Sequence, residues 1–96
     1  MELHRVLKPG GVLLVAVPLV SMCDANFGEL WRFTAEGLEK LLTQSFDQGN
    51  VSVRAYGNSL TTIGDLRGLT AAEFTSTELA YHDSRFGLEV CARARK

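Results

Sequence analysis

Lys8-Pro9-Gly10-Gly11-Val12-Leu13-Leu14-Val15-Ala16-Val17-Pro18 is the stretch on which the fold turns. The apolar run from Val12 to Val17 is bounded by a two-glycine turn and a proline, which leaves too few residues for a buried helix. It does not alternate with polar residues, and such a run is the pattern of a strand covered on both faces, as in a parallel sheet between helices. Upstream, Leu3, Val6 and Leu7 recur at helical spacing. Lys8 suits the negative end of a helix dipole and Pro9 cannot continue the helix. Met1 to Lys8 therefore reads as the end of a helix, stopped at Lys8-Pro9-Gly10-Gly11.

Downstream, Leu19 to Phe33 has no clean period and carries Ser21, Asp24, Asn26 and Gly28. It reads as a long loop leaving the C-terminal end of the strand, the edge where open α/β sheets bind ligands. Thr34 is the expected N-cap of the next helix, which places Leu38, Leu41, Leu42 and Phe46 on one face. After a turn at Asp47–Asn50, Val51, Val53 and Ala55 alternate with Ser52, Arg54 and Tyr56, predicting a strand with one wetter face that ends at Gly57-Asn58. Two capping signals overlap further on. Thr70 with Glu73, and Thr75 with Glu78, each satisfy the capping-box spacing, with Leu69/Phe74 and Phe74/Leu79 as the matching staples, so a short helix is expected within 70–81. Phe86, Leu88, Val90, Ala92 and Ala94 then alternate with Gly87, Glu89, Cys91, Arg93 and Arg95 as a last strand.

The 96 residues, 46% of them hydrophobic and 22% charged, allow one modest core and exclude a disordered chain. The formal charge of −1, with basic residues clustered only at Arg93, Arg95 and Lys96, argues against nucleic acid as a partner. That basic end reads as a solvated terminus. The longest apolar run, Val12 to Val20, is roughly half of a membrane span, and no targeting segment is visible, so a cytoplasmic protein is expected. Cys23 and Cys91 are far apart and in no CxxC pattern, which favours reduced thiols over a disulfide. His4 and His82 complete no metal-ligand spacing, and no metal site is expected.

Two passages carry a family resemblance. Glu2-Leu3-His4-Arg5-Val6-Leu7-Lys8-Pro9-Gly10-Gly11-Val12-Leu13-Leu14-Val15 resembles the E-x-x-R-V-L-K-P-G-G-x-L passage of class I S-adenosylmethionine-dependent methyltransferases, type 11-like, which joins the fourth helix of that family to its fifth strand. Leu30-Trp31-Arg32-Phe33-Thr34-Ala35-Glu36-Gly37-Leu38 is similar to the D-x-W-R-F-T-P-E-G-L element that opens the following helix in one branch. The strand, helix and strand that follow are similar to the family's last two strands with a small insertion. The resemblance thus spans essentially residues 1–96 and implies one partial domain. The fold it implies is α/β, the C-terminal half of a Rossmann-like methyltransferase sheet. About three strands are expected, one of parallel type and then an antiparallel pair, with two to three helices.

The family's glycine-rich loop and the acidic residue ending its second strand have no counterpart here. S-adenosylmethionine is the cofactor the family implies, yet this chain is not expected to bind it alone, and no cofactor-binding residue is assigned. Gly10-Gly11 precedes a strand and reads as a turn. By position the chain would supply the side facing the methyl acceptor, a small molecule, and would be inactive alone. The candidate substrate-binding residues are Pro18, Asp24, Trp31 and Arg32. Arg32 could hold a carboxylate, a phosphate or a sugar hydroxyl, and Trp31 could stack on an acceptor ring. Against this, Trp31 and Phe33 could simply staple the start of the helix while Arg32 pairs with Glu29 or Glu36, and Pro18 could simply end the strand. The loop Ser21-Met22-Cys23-Asp24-Ala25-Asn26-Phe27 lacks the histidine that branch often carries, so the catalytic base is unassigned. Tyr56, Asn58 and His82-Asp83 read as solvated polar residues. The alternative function is a non-catalytic remnant or interaction module, whose open sheet edge pairs with its own copy or with a complementing N-terminal half.

Overall fold

The computed structural model describes residues 1–21 and 31–96. Their order is α1 (Glu2–Val6), β1 (Val12–Pro18), α2 (Ala35–Leu42), β2 (Val51–Tyr56), α3 (Ser59–Leu66), α4 (Ser76–Ala80) and β3 (Glu89–Arg95). Short 3-10 turns at Gln48–Asn50 and Ala71–Glu73 precede β2 and α4. Asp24 and Cys23 lie outside the described residues.

The architecture is a small α/β unit around one three-stranded sheet of order β1-β3-β2. β3 enters between the first two strands and runs antiparallel to both, with Val12 opposite Arg95 and Val51 opposite Ala94. β1 and β2 therefore point the same way but never touch. The parallel-type pairing expected of β1 is not present among the described residues, where its one neighbour is the antiparallel β3. The helices also exceed the expected two to three, since α3 has no counterpart in the sequence reading.

Alternation decides which sheet face is buried. Leu13, Val15 and Val17 of β1, Val51, Val53 and Ala55 of β2, and Val90, Ala92 and Ala94 of β3 share one face and pack with Leu38, Leu42 and Phe46. Each large side chain buried there contributes on the order of 1.5–3 kcal/mol. Leu42, at 1% exposure, is the most enclosed of the α2 residues, whereas Leu41 stays 37% exposed and falls outside the stripe. Among the described residues nothing packs on the other sheet face. On β1 it presents Val12 and Leu14, the latter 75% exposed, so among those residues the strand is not covered on both sides as expected. The missing alternation reflects apolar residues placed on an open face.

Local signals act as the residues dictate. The hydroxyl of Thr34 accepts from the Gly37 N–H at 3.0 Å and caps α2. Both overlapping capping boxes form. Glu73 accepts from the Thr70 N–H at 2.6 Å to close the 3-10 turn, and the Glu78 N–H donates to Thr75 Oγ1 at 3.1 Å to open α4. Lys96 is not a solvated end: its ammonium donates to the carbonyls of His4 and Leu7, both at 2.9 Å, and ties Lys96 to the end of α1.

Candidate functional site

Because β1 and β2 point the same way and α2 joins them, α2 must run back against the strands. Its far end is marked by Phe46, whose ring meets the His4 ring edge-on at 4.8 Å beside the start of β1. Trp31–Thr34 therefore approaches from the end where β1 and β2 finish, the edge at which open α/β sheets bind ligands.

Pairing register assembles that edge from separate parts of the sequence. Pro18 is opposite Glu89, and Glu89 is opposite Tyr56, so the three form one row across the bare face. The next row is Ala16, Cys91 and Arg54, and the one after it Leu14, Arg93 and Ser52. Arg54 lies over the Tyr56 ring at 5.1 Å, a cation–π contact that holds both side chains along the sheet. A shallow groove of about 350 Å³ runs between Leu14, Arg54, Tyr56, Cys91 and Arg93. Cys91 is a free, half-buried thiol in it.

Among the substrate residues expected from sequence, Pro18 lies exposed at the end of β1, in line with Tyr56. Trp31 is 75% exposed and so is not a staple for α2, a role left to the half-buried Phe33. Arg32 donates to the Trp31 carbonyl at 3.3 Å, and Glu36 pairs with Lys40 at 3.4 Å. Asp24 is outside the described residues; among those described, the structure aligns Pro18 with Tyr56 and joins Arg32 to the Trp31 carbonyl.

Asn58 departs furthest from its expected surface role. It is 3% exposed and fully bonded. Its carbonyl oxygen accepts from the Thr61 N–H at 2.9 Å, and its amide donates to the carbonyls of Glu78 at 2.8 Å and Tyr81 at 2.7 Å. One side chain thus caps α3 and ties it to the end of α4. Between these helices lies a cleft of about 360 Å³, lined by Asn58, Ser59, Leu60, Thr77, Glu78 and Tyr81, that the sequence reading missed with α3 itself. The one available signal was Asn58 three residues before Thr61, an N-cap pattern with threonine in place of the usual glutamate or glutamine.

Asp83 is likewise structural. Its carboxylate takes the Arg85 side chain at 2.8 and 3.0 Å and the Arg85 N–H at 3.0 Å. The Arg85 guanidinium first, and that N–H second, lower its pKa to about 2. Its own N–H donates to the Gly57 carbonyl at 3.0 Å, which docks the loop before β3 onto the end of β2.

The glycines test whether this edge could cradle S-adenosylmethionine. Gly57 follows a strand with φ +120°, but a Cβ there would meet Leu88 Cβ at 2.9 Å, so its bareness serves packing against the chain itself. A Cβ on Gly11 would meet the Lys8 carbonyl at 2.8 Å, as expected of a turn. Neither Gly57 nor Gly11 therefore leaves a bare cradle for a ligand. Among the described residues, no three His, Cys, Asp or Glu side chains converge as metal ligands, and no helix is long and apolar enough to cross a membrane. Compared with known proteins, the chain matches no family model, no curated protein and no solved structure.

Proposed function

We propose that this chain is the acceptor-side portion of an S-adenosylmethionine-dependent methyltransferase domain of class I type, acting in the cytoplasm and inactive alone. The observation that supports the reading is the pair of family-like passages, one before β1 and one before α2. Lys8-Pro9-Gly10-Gly11 is the turn into β1, with Gly10 at φ +80°, and Trp31-Arg32-Phe33-Thr34 is the capped approach to α2. The finer Rossmann-like assignment draws support from β1, whose second edge is free among the described residues and could take a parallel neighbour. On this reading Pro18, Trp31 and Arg32, with Asp24, face the acceptor, and positioning that acceptor is their contribution to methyl transfer.

Two measurements test it. Translation of the nucleotide sequence upstream of the Met1 codon, in all frames, should reveal a strand followed by a glycine-rich loop, and its absence would remove the reading. Titration calorimetry of the chain alone with S-adenosylmethionine should give no binding heat, whereas tight stoichiometric binding would overturn the division into halves. A second reading, a non-catalytic module that pairs through an open sheet edge, is favoured by the same free side of β1.

A further inference from the structure

The phase of the β1–β3 ladder determines what β1 offers on its other side. The Lys96 N–H donates to the Gly11 carbonyl and the Leu19 N–H to the Leu88 carbonyl, both at 2.9 Å, one bond at each end of the pairing. Odd-numbered residues of β1 therefore exchange bonds with β3, and Val12, Leu14 and Ala16 turn their N–H and C=O groups away from it. Among the described residues no strand receives them. The same three side chains lie on the bare face, with Val12 41% and Leu14 75% exposed. No charged side chain occurs anywhere in Val12–Pro18 to guard the edge, the usual protection against edge-to-edge pairing.

We infer that β1 pairs antiparallel with β1 of a second copy, about a two-fold axis through Leu14. The pattern is self-complementary. Centred on Leu14, the pairing sets Val12 of each copy opposite Ala16 of the other, so that every outward N–H meets an outward carbonyl. A two-fold axis perpendicular to the sheet keeps both bare faces on one side, where the two Leu14 side chains cover each other. Pro18, which lacks an N–H, ends the seam at one side, and the Gly10-Gly11 turn ends it at the other. So short a seam buries far less than the roughly 1,200 Å² of a stable interface, which makes the dimer concentration-dependent. The inference rests on the second reading, a module that pairs through its open edge, because this edge cannot also take the parallel neighbour of the first; cofactor binding and the upstream sequence test the first reading separately.

Analytical ultracentrifugation of the full chain over a wide concentration range, with amide hydrogen exchange at each concentration, tests it. The mass should rise from one chain to two. Exchange at Val12, Leu14 and Ala16 should slow in parallel at least tenfold, while Leu13, Val15 and Val17 stay protected throughout. Leu14→Lys should keep the chain monomeric. Leu14→Pro should do the same by deleting one outward N–H without touching a β3 bond, and the Leu14→Lys variant keeps the test intact where the proline disturbs folding. A chain that stays monomeric with those three amides fast at every concentration overturns the inference, as does association that survives Leu14→Lys.

Discussion

The side-chain amide of Asn58 donates to the main-chain carbonyl of Tyr81 at 2.7 Å, joining the end of β2 to the end of α4 across 23 residues of sequence. The same amide reaches the Glu78 carbonyl, while its oxygen caps α3, so the small helical layer depends on one buried side chain that must both donate and accept.

Asn58→Asp keeps the capping oxygen but aims a carboxylate oxygen at two carbonyls. Asn58→Ala removes both functions without adding repulsion. Each should lower stability by about 1–3 kcal/mol, and at neutral pH the aspartate should be the worse because a buried charge is left among acceptors. Urea denaturation of the variants checks the order. An aspartate as stable as wild type would show that the two carbonyls do not need the amide.

Gly64 lies on the face of α3 that meets Phe74, and a methyl at Gly64 would run into the ring at Cζ. In a solvated helix, Gly→Ala stabilises by roughly 1 kcal/mol. Here overpacking of about 1–3 kcal/mol opposes it, so Gly64→Ala should be neutral to destabilising. Adding Phe74→Leu should recover the helical gain, and thermal melts of the single and double variants measure that coupling.

Much of the fold could be read from residues that act locally. The Lys8–Gly11 stop, Thr34 as cap, the alternation of β2 and the two capping boxes depend on neighbours in sequence. α3 was hidden because Thr61, Thr62 and Ile63 are β-branched and Gly64 is a poor helix former, so its stability comes from the Asn58 cap and from Phe74, which arrives ten residues later. The bare face of β1 was hidden for a different reason: an apolar strand reads alike whether or not something covers it. The row Pro18, Glu89, Tyr56 is likewise a product of register between distant strands, and no local pattern contains it.

Asp83 makes the docking of the 81–88 loop acid-sensitive. Its carboxyl is held at about 2 in the folded chain by the Arg85 side chain and N–H, below the unfolded value of roughly 3.9. A depressed acid contributes stability that is present above the unfolded value and lost as pH falls toward the folded one. Stability should therefore decline between about pH 4 and pH 2 in wild type, and Asp83→Asn should flatten that part of the profile. Parallel pH–urea profiles decide it, and identical slopes would show that the Asp83–Arg85 pair carries no linkage.

Trp31, the chain's single tryptophan, separates a structural role from a binding one. A staple would bury the indole, yet it is 75% exposed, so its fluorescence should be quenched freely by acrylamide. Trp31→Ala should then change stability by no more than about 0.5 kcal/mol, the range of surface substitutions away from special contacts. Phe33→Ala, which removes a ring packed against the core, should cost several times as much, about 2–4 kcal/mol given its partial burial. If Trp31→Ala instead proves as costly as Phe33→Ala, the indole is part of the packing of α2, and Trp31 must leave the list of residues offered to an acceptor.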